Sequence, residues 1–152
     1  MKIEMNGVER VSVTPAQALA FVSDPKRVGT CMPDLENLQV SDERHFVATV
    51  RVGVGPVKGR LKMEVELTSD PSKPEELQMA AKGSGMGSGM NLNSRVRVTS
   101  AGDGASELHW TADAAVSGPL ASVGGRLLEA QAKKTTERMF AAIREALGSS
   151  SP

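Results

Sequence analysis

The chain has 152 residues, enough for one domain with a core of its own, and carries 18 basic and 18 acidic residues for a formal net charge of zero. That balance argues against a nucleic-acid footprint, and one cysteine, Cys31, excludes an internal disulfide and a multi-cysteine zinc site. Eight Met stand against three Phe, one Trp and no Tyr, so flexible thioethers that repack around different shapes fill much of the interior.

In chain order, Lys2 to Val13 alternates in polarity, with Ile3, Met5, Val11 and Val13 on one face, and reads as a first strand. Thr14, Pro15 and Gln17 spell a capping box with proline at the first helical position, opening a short helix through Ser23 whose Ala18, Leu19 and Val22 face inward. Asp24-Pro25 and Gly29 to Pro33 interrupt the pattern and leave room for one more helical turn. Leu35 to Val40 is a weak strand. From His45, Ala48, Val50, Val52 and Val54 share a face. Gly53-Val54-Gly55-Pro56 turns the chain into a strand with Val57, Leu61, Met63, Val65 and Leu67 inward. Leu77, Met79 and Ala81 line the next strand. Gly83, Gly85, Gly87 and Gly89 spell neither phosphate-binding glycine motif and read as a flexible hairpin. Met90, Leu92, Val96 and Val98, then Leu108, Trp110, Ala112, Ala114 and Val116, mark the last two strands.

Pro119 to Leu147 reads as one long helix, about 43 Å at 1.5 Å per residue, closed by Gly148. Its inward stripe is Ala121, Gly124, Gly125, Leu128, Gln131, Ala132, Thr135, Met139, Ala142, Ile143 and Ala146, opposite Arg126, Glu129, Lys133, Glu137 and Arg144. The expected architecture is α+β: a helix-grip fold, a curved antiparallel sheet of six or seven strands wrapped around the C-terminal helix, with one or two short helices after the first strand. One domain spans residues 1–148, followed by a short polar tail at 149–152.

A stripe of small residues fills little of the space a curved sheet encloses. It suits either close helix-to-sheet packing or a cavity. The candidate ligand-binding set is Val50, Val52, Met63, Val65, Met79, Met90, Leu92 and Trp110 from the sheet, with Leu128, Gln131, Ala132, Thr135 and Met139 from the helix. Apolar walls with a few polar groups are what a hydrophobic small-molecule site requires. The same residues serve as ordinary core if the interior is closed. Leu120, Val123 and Leu127 project together to the flank of the helix near its start, as a partner surface or tucked beneath the loops around Met32 and Pro56.

No catalytic constellation emerges. His109 falls on the solvent face by parity, and His45 has no Cys or His at ligand spacing, so no metal site is expected. Cys31 reads as a small core residue, Glu64 and Glu66 belong to a solvated charged face, and Asp113 points outward.

The segments Asp24…Val28…Cys31-Met32-Pro33, Val52-Gly53-Val54-Gly55-Pro56-Val57-Lys58-Gly59 and Val116-Ser117-Gly118-Pro119-Leu120-Ala121 with Gly125-Arg126 resemble the carbon monoxide dehydrogenase G-subunit family, within the START-like superfamily. The resemblance implies a non-catalytic accessory that recruits a molybdenum-containing hydroxylase of the carbon monoxide dehydrogenase type to the cytoplasmic membrane. It also implies a hydrophobic ligand such as a quinone, and by extension a fatty acid or other lipid, with no covalently bound cofactor. Some members extend into an apolar membrane-attaching tail, whereas Gly148-Ser149-Ser150-Ser151-Pro152 is polar; weak peripheral contact at the inner face of the cytoplasmic membrane is therefore expected of a cytoplasmic protein. No signal peptide or apolar run of membrane-spanning length is visible. Two other readings are a small enzyme resembling polyketide cyclases or dehydratases, against which the lack of Tyr and of an inward His weighs, and a fully packed protein-interaction domain.

Overall fold

The computed structural model describes residues 1–150. The strands are β1 (Lys2–Val11), β2 (Leu35–Val40), β3 (His45–Val54), β4 (Val57–Asp70), β5 (Lys73–Gly85), β6 (Ser88–Gly102) and β7 (Ala105–Ser117). The helices are α1 (Pro15–Val22), α2 (Pro25–Thr30) and α3 (Gly125–Ser150), with a single 3-10 turn at Ala121–Val123. All seven strands form one antiparallel sheet in the order β1-β7-β6-β5-β4-β3-β2. From β2 to β7 the chain is a meander of adjacent hairpins, while β1 pairs with β7 at the far edge. The segment from β1 to β2 must therefore cross the whole sheet, and it does so as the two short helices.

The expected capping box starts α1. The Gln17 N–H donates to Thr14 Oγ1 at 3.3 Å, and the Thr14 N–H donates to Gln17 Oε1 at 3.0 Å. Asp24 caps α2 through the N–H groups of Lys26 and Arg27, again with proline at the start. These helices carry Phe21, Val22, Val28 and Cys31 into a core shared with Phe46, Leu67, Leu77, Val98, Leu108, Ile143 and Leu147. Phe21, Phe46 and Leu108 are at most 2% exposed, and each such side chain stabilises by about 1.5–3 kcal/mol relative to exposure. One end of the curved sheet is thus plugged by α1 and α2.

Three expected boundaries differ from the structure. β1 ends at Val11, and Val13 is buried beyond the strand, where its carbonyl accepts from the fully buried Ser106 hydroxyl at 2.7 Å. The long helix starts at Gly125, not Pro119, so Ala121 and Gly124 are not on its stripe. Helical periodicity is blind to what intervenes: Gly118 and Gly124 take φ of 80° and 97°, and the Leu120 N–H donates to Ser88 Oγ at 2.9 Å, which binds this segment to the β5–β6 hairpin. The Gly124 carbonyl then accepts the first helical bond from Leu128, at 3.1 Å. Nor does Gly148 end α3, which continues through Ser149 and Ser150 because no left-handed turn forms at that glycine. Ser151 and Pro152 of the expected tail lie outside the described residues. The glycine-rich hairpin is a two-residue turn at Met86 and Gly87, both at positive φ (58° and 72°) as such turns require.

On the outer face, His45 sits between a carboxylate of the β2–β3 turn and one of β4: Nδ1 lies 2.8 Å from Asp42 Oδ1 and Nε2 lies 2.8 Å from Glu66 Oε2. Hydrogen bonding to Asp42, then to Glu66, raises the His45 pKa above its ordinary 6.5. A raised pKa means that the folded state favours the imidazolium, so the contribution is complete below the free value and disappears as pH rises through the folded value. His45→Gln should therefore lower the denaturation midpoint relative to the parent near pH 5.5 and leave it unchanged near pH 8, and an NMR titration should place the His45 ring above 6.5. A ring titrating below that value, or an equal loss at both pH values, would contradict the clamp.

The two turn glycines make a second test. A Cβ on Gly124 meets nothing within 4 Å, whereas one on Gly118 collides with the Gly87 carbonyl oxygen and lies 2.8 Å from Ser88 Cα. Gly124→Ala should cost about 1–3 kcal/mol from backbone strain alone, since φ 97° with ψ 152° is a region essentially reserved for glycine, and Gly118→Ala should add an overpacking cost of about 1 kcal/mol or more to its own backbone strain. Equal midpoints for the two variants in chemical denaturation would show that the hairpin contact is soft.

Candidate functional site

Between the concave face of the sheet and α3 lies a cavity of about 630 Å³, inside the roughly 300–1,000 Å³ range of small-molecule sites. The strands build it by simple alternation. Inward residues of β3 (Val50, Val52), β4 (Leu61, Met63, Val65), β5 (Met79, Ala81), β6 (Met90, Leu92, Ser94, Val96) and β7 (Leu108, Trp110, Ala112, Ala114) form one wall. From α3 come Leu128, Gln131, Ala132, Lys134, Thr135, Thr136, Arg138, Met139, Phe140 and Ile143. Six of the eight methionines, Met5, Met32, Met63, Met79, Met90 and Met139, border the space. Their sulfurs and unbranched chains let the wall change shape at little cost.

All thirteen residues of the expected ligand-binding set, Val50, Val52, Met63, Val65, Met79, Met90, Leu92, Trp110, Leu128, Gln131, Ala132, Thr135 and Met139, lie on this wall. The expected partner surface does not hold together. Leu120 is 3% exposed and turns inward as another wall residue, because it precedes the 3-10 turn and so shares no helix face with Leu127. Val123 is half-buried, and Leu127 alone is open, at 43%.

Sequence reasoning missed Phe140 and Asp34. Phe140 sits one position beyond the Met139 stripe, yet its ring lies 5.4 Å from that of Trp110, centroid to centroid. A sheet that curls around a helix covers more than one narrow stripe, so the i, i+4 pair Thr136 and Phe140 was the available signal. Asp34 takes a left-handed φ of 58° in the loop after α2, and its carboxylate accepts two bonds from the Arg138 guanidinium at 2.9 and 3.2 Å. These bonds hold the Asp34 carboxyl below, and the Arg138 guanidinium above, their ordinary pKa values. Partners 104 residues apart leave no local trace in sequence.

The charged residues on the wall are Asp34, Arg51, Lys134 and Arg138, all solvent-exposed, so they mark the rim where the cavity meets water. Deeper polar groups are mostly engaged with the protein. The Ser94 hydroxyl donates to the Thr111 carbonyl at 2.9 Å, the Gln131 amide donates to Thr135 Oγ1 at 3.3 Å, and the Thr136 hydroxyl donates to the Ala132 carbonyl at 2.8 Å. Trp110 Nε1 is buried without a partner, packed against the space that Gly7 leaves on β1.

Other candidate groups lie away from the cavity. His109 faces outward, 3.1 Å from Thr99 Oγ1, and Asp113 is exposed. Cys31 is buried in the plugged end, and burial, only partly offset by Arg27, pushes its thiol up and keeps it protonated. Among the described residues, no cluster of His, Cys, Asp and Glu is arranged to hold a metal ion, and no helix is long and apolar enough to cross a membrane.

Several solved structures share this architecture. A conserved protein from Geobacillus kaustophilus superposes with a TM-score of 0.86 at 24% identity, covering 97% of each chain. A START superfamily protein from Mycobacterium smegmatis gives 0.69 at 15% identity over 97% of this chain and 99% of that one. The Zhui aromatase/cyclase from Streptomyces sp. R1128 gives 0.56 at 14% identity, over 97% and 92%. At these identities the likeness establishes the fold, a START-like helix grip. No curated protein sequence matches the chain. The family model for the carbon monoxide dehydrogenase G subunit (CoxG) matches residues 7–148, nearly the whole described domain, and the chain belongs to that family.

Proposed function

We propose that this protein is a non-catalytic accessory that holds a hydrophobic small molecule in the cavity beneath α3 and serves a carbon monoxide dehydrogenase-type enzyme. The observation that carries the reading is the distribution of polarity: an interior walled by Met, Val, Leu, Phe and Trp, with all charge confined to the rim. Such a site retains an apolar molecule by area burial, at about 25 cal/mol per Å² removed from water. The interior offers no paired acid and base, and the polar side chains Ser94, Gln131 and Thr136 are spent on internal hydrogen bonds. Quinones, fatty acids and other lipids are the ligand classes of the right character. Family membership supports the partner, and reversible, peripheral contact with the cytoplasmic face of the membrane belongs to the same proposal.

Ligand that binds only the folded state should raise the melting temperature, adding about 2.7 kcal/mol at a hundredfold excess over Kd. A panel of long-chain quinones and fatty acids tests this in a thermal melt; a flat melting temperature across the panel would sink the proposal. Thr135→Phe is the matching variant, since it adds a ring to a small side chain on the cavity wall. Its stability should hold or rise while ligand-induced stabilisation falls. If the interior were closed, the same change would cost about 1–3 kcal/mol by overpacking, with no binding to lose.

A further inference from the structure

The rim of the cavity has an imbalance that the apolar interior does not explain. Gln131, Lys134, Thr135 and Arg138 stand at i, i+3, i+4 and i+7 on α3, which puts them on one helical stripe; all four line the cavity, and the exposed Lys134 and Arg138 mark its rim. They are rich in donors. An ammonium offers three N–H groups and a guanidinium five, whereas the carboxylate on the wall, Asp34, already spends both oxygens on Arg138. Thr135 Oγ1 is taken by the Gln131 amide. Lys134 makes no ion pair or hydrogen bond among the described residues, and Glu137, three residues on, is exposed and forms no ion pair with it. Arg51 meets the loop through its backbone, whose N–H donates to the Asp34 carbonyl at 3.0 Å, while its side chain alternates with Val50 and Val52 onto the outer face of β3. Its guanidinium and that of Arg60 share the single carboxylate of Glu36. At the opening itself Lys134 and Arg138 face one carboxylate, Asp34, and Lys134 is the cation without a partner among the described residues.

We infer that the cavity takes a single-chain amphiphile with an anionic head, its chain lying among the methionines and its head held at the donor-rich rim by Lys134. This rests on the ligand-binding reading above and names the chemical class that reading left open. A neutral hydroxyl or carbonyl head accepts a hydrogen bond from the Lys134 ammonium but leaves its charge unbalanced, and a cationic head would be repelled by Lys134 and Arg138 together. A carboxylate or phosphate head supplies the acceptors that the rim lacks.

The test is displacement of the neutral fluorophore N-phenyl-1-naphthylamine from the full chain by three amphiphiles with the same sixteen-carbon chain, roughly matched in buried area: palmitate, 1-hexadecanol and hexadecyltrimethylammonium. Palmitate should displace the probe at about fivefold lower concentration than hexadecanol, the range open to an exposed ion pair, with the ammonium weakest. The gap should narrow at about 1 M salt. Lys134→Gln should abolish it, and Lys134→Glu should place the ammonium ahead of palmitate; both residues suit an exposed helix position, so the circular-dichroism melt should match the parent. Equal displacement by palmitate and hexadecanol, or a gap that survives Lys134→Glu, would overturn the inference while leaving the cavity reading intact. Failure of the probe and of all three amphiphiles to bind would remove both.

Discussion

One long helix spans the apolar face of a seven-stranded sheet, with only two short helices closing one end, and the rest of the molecule follows from that mismatch in width. Seven strands at about 4.8 Å spacing span roughly 29 Å, whereas a helix with its side chains is about 10–12 Å across. A flat sheet would leave most of its inner face wet. Curling around α3 removes much of that exposure, and long β4 to β7 strands allow it because β-sheets twist and coil naturally. The small side chains on the helix, Ala132 and Thr135 above all, do not reach across the remaining gap. What the curl cannot close and the side chains cannot fill is the cavity.

The two ends of the grip are closed by different means. At one, the crossover between opposite sheet edges is converted into α1 and α2, whose Phe21, Val22 and Val28 join the larger core cluster. At the other, a smaller cluster of Ile3, Val54, Val116, Leu120 and Leu128 is drawn together by backbone that doubles back at Gly118 and Gly124. Leu120 thereby becomes a wall of the interior. Rigid closure at both ends leaves the flank between the Asp34 loop and the middle of α3 as the region where charged, solvent-exposed residues meet the cavity.

Charge placement follows the same logic. Burying an unpaired ion inside such a space would carry a penalty of several kcal/mol, so ionisable side chains stay at the rim or on the outer face, where His45, Asp42 and Glu66 form their own network. The Asp34–Arg138 pair is bidentate but exposed on both partners, and exposed pairs contribute little to stability. Its importance is geometric, since it ties the α2–β2 loop to α3 beside the opening.

Much of this architecture was legible in the chain. Period-2 alternation exposed the inward faces of β3 to β7, and with them Val50, Val52, Met63, Val65, Met79, Met90, Leu92 and Trp110, because each strand has one wet face and one dry one. The Thr14–Gln17 capping box and the proline starts announced α1 and α2, since local hydrogen bonds between near neighbours leave local patterns. The start of α3, the inward turn of Leu120, the Trp110–Phe140 contact and the Asp34–Arg138 pair were not legible. Sequence by itself determined which face of each strand and helix is apolar, a property of spacing along the chain. Only the tertiary structure decided that the curled sheet and its one helix leave a space of about 630 Å³ and which charges stand at its edge, because enclosed volume and long-range ion pairs depend on how far apart distant segments come to rest.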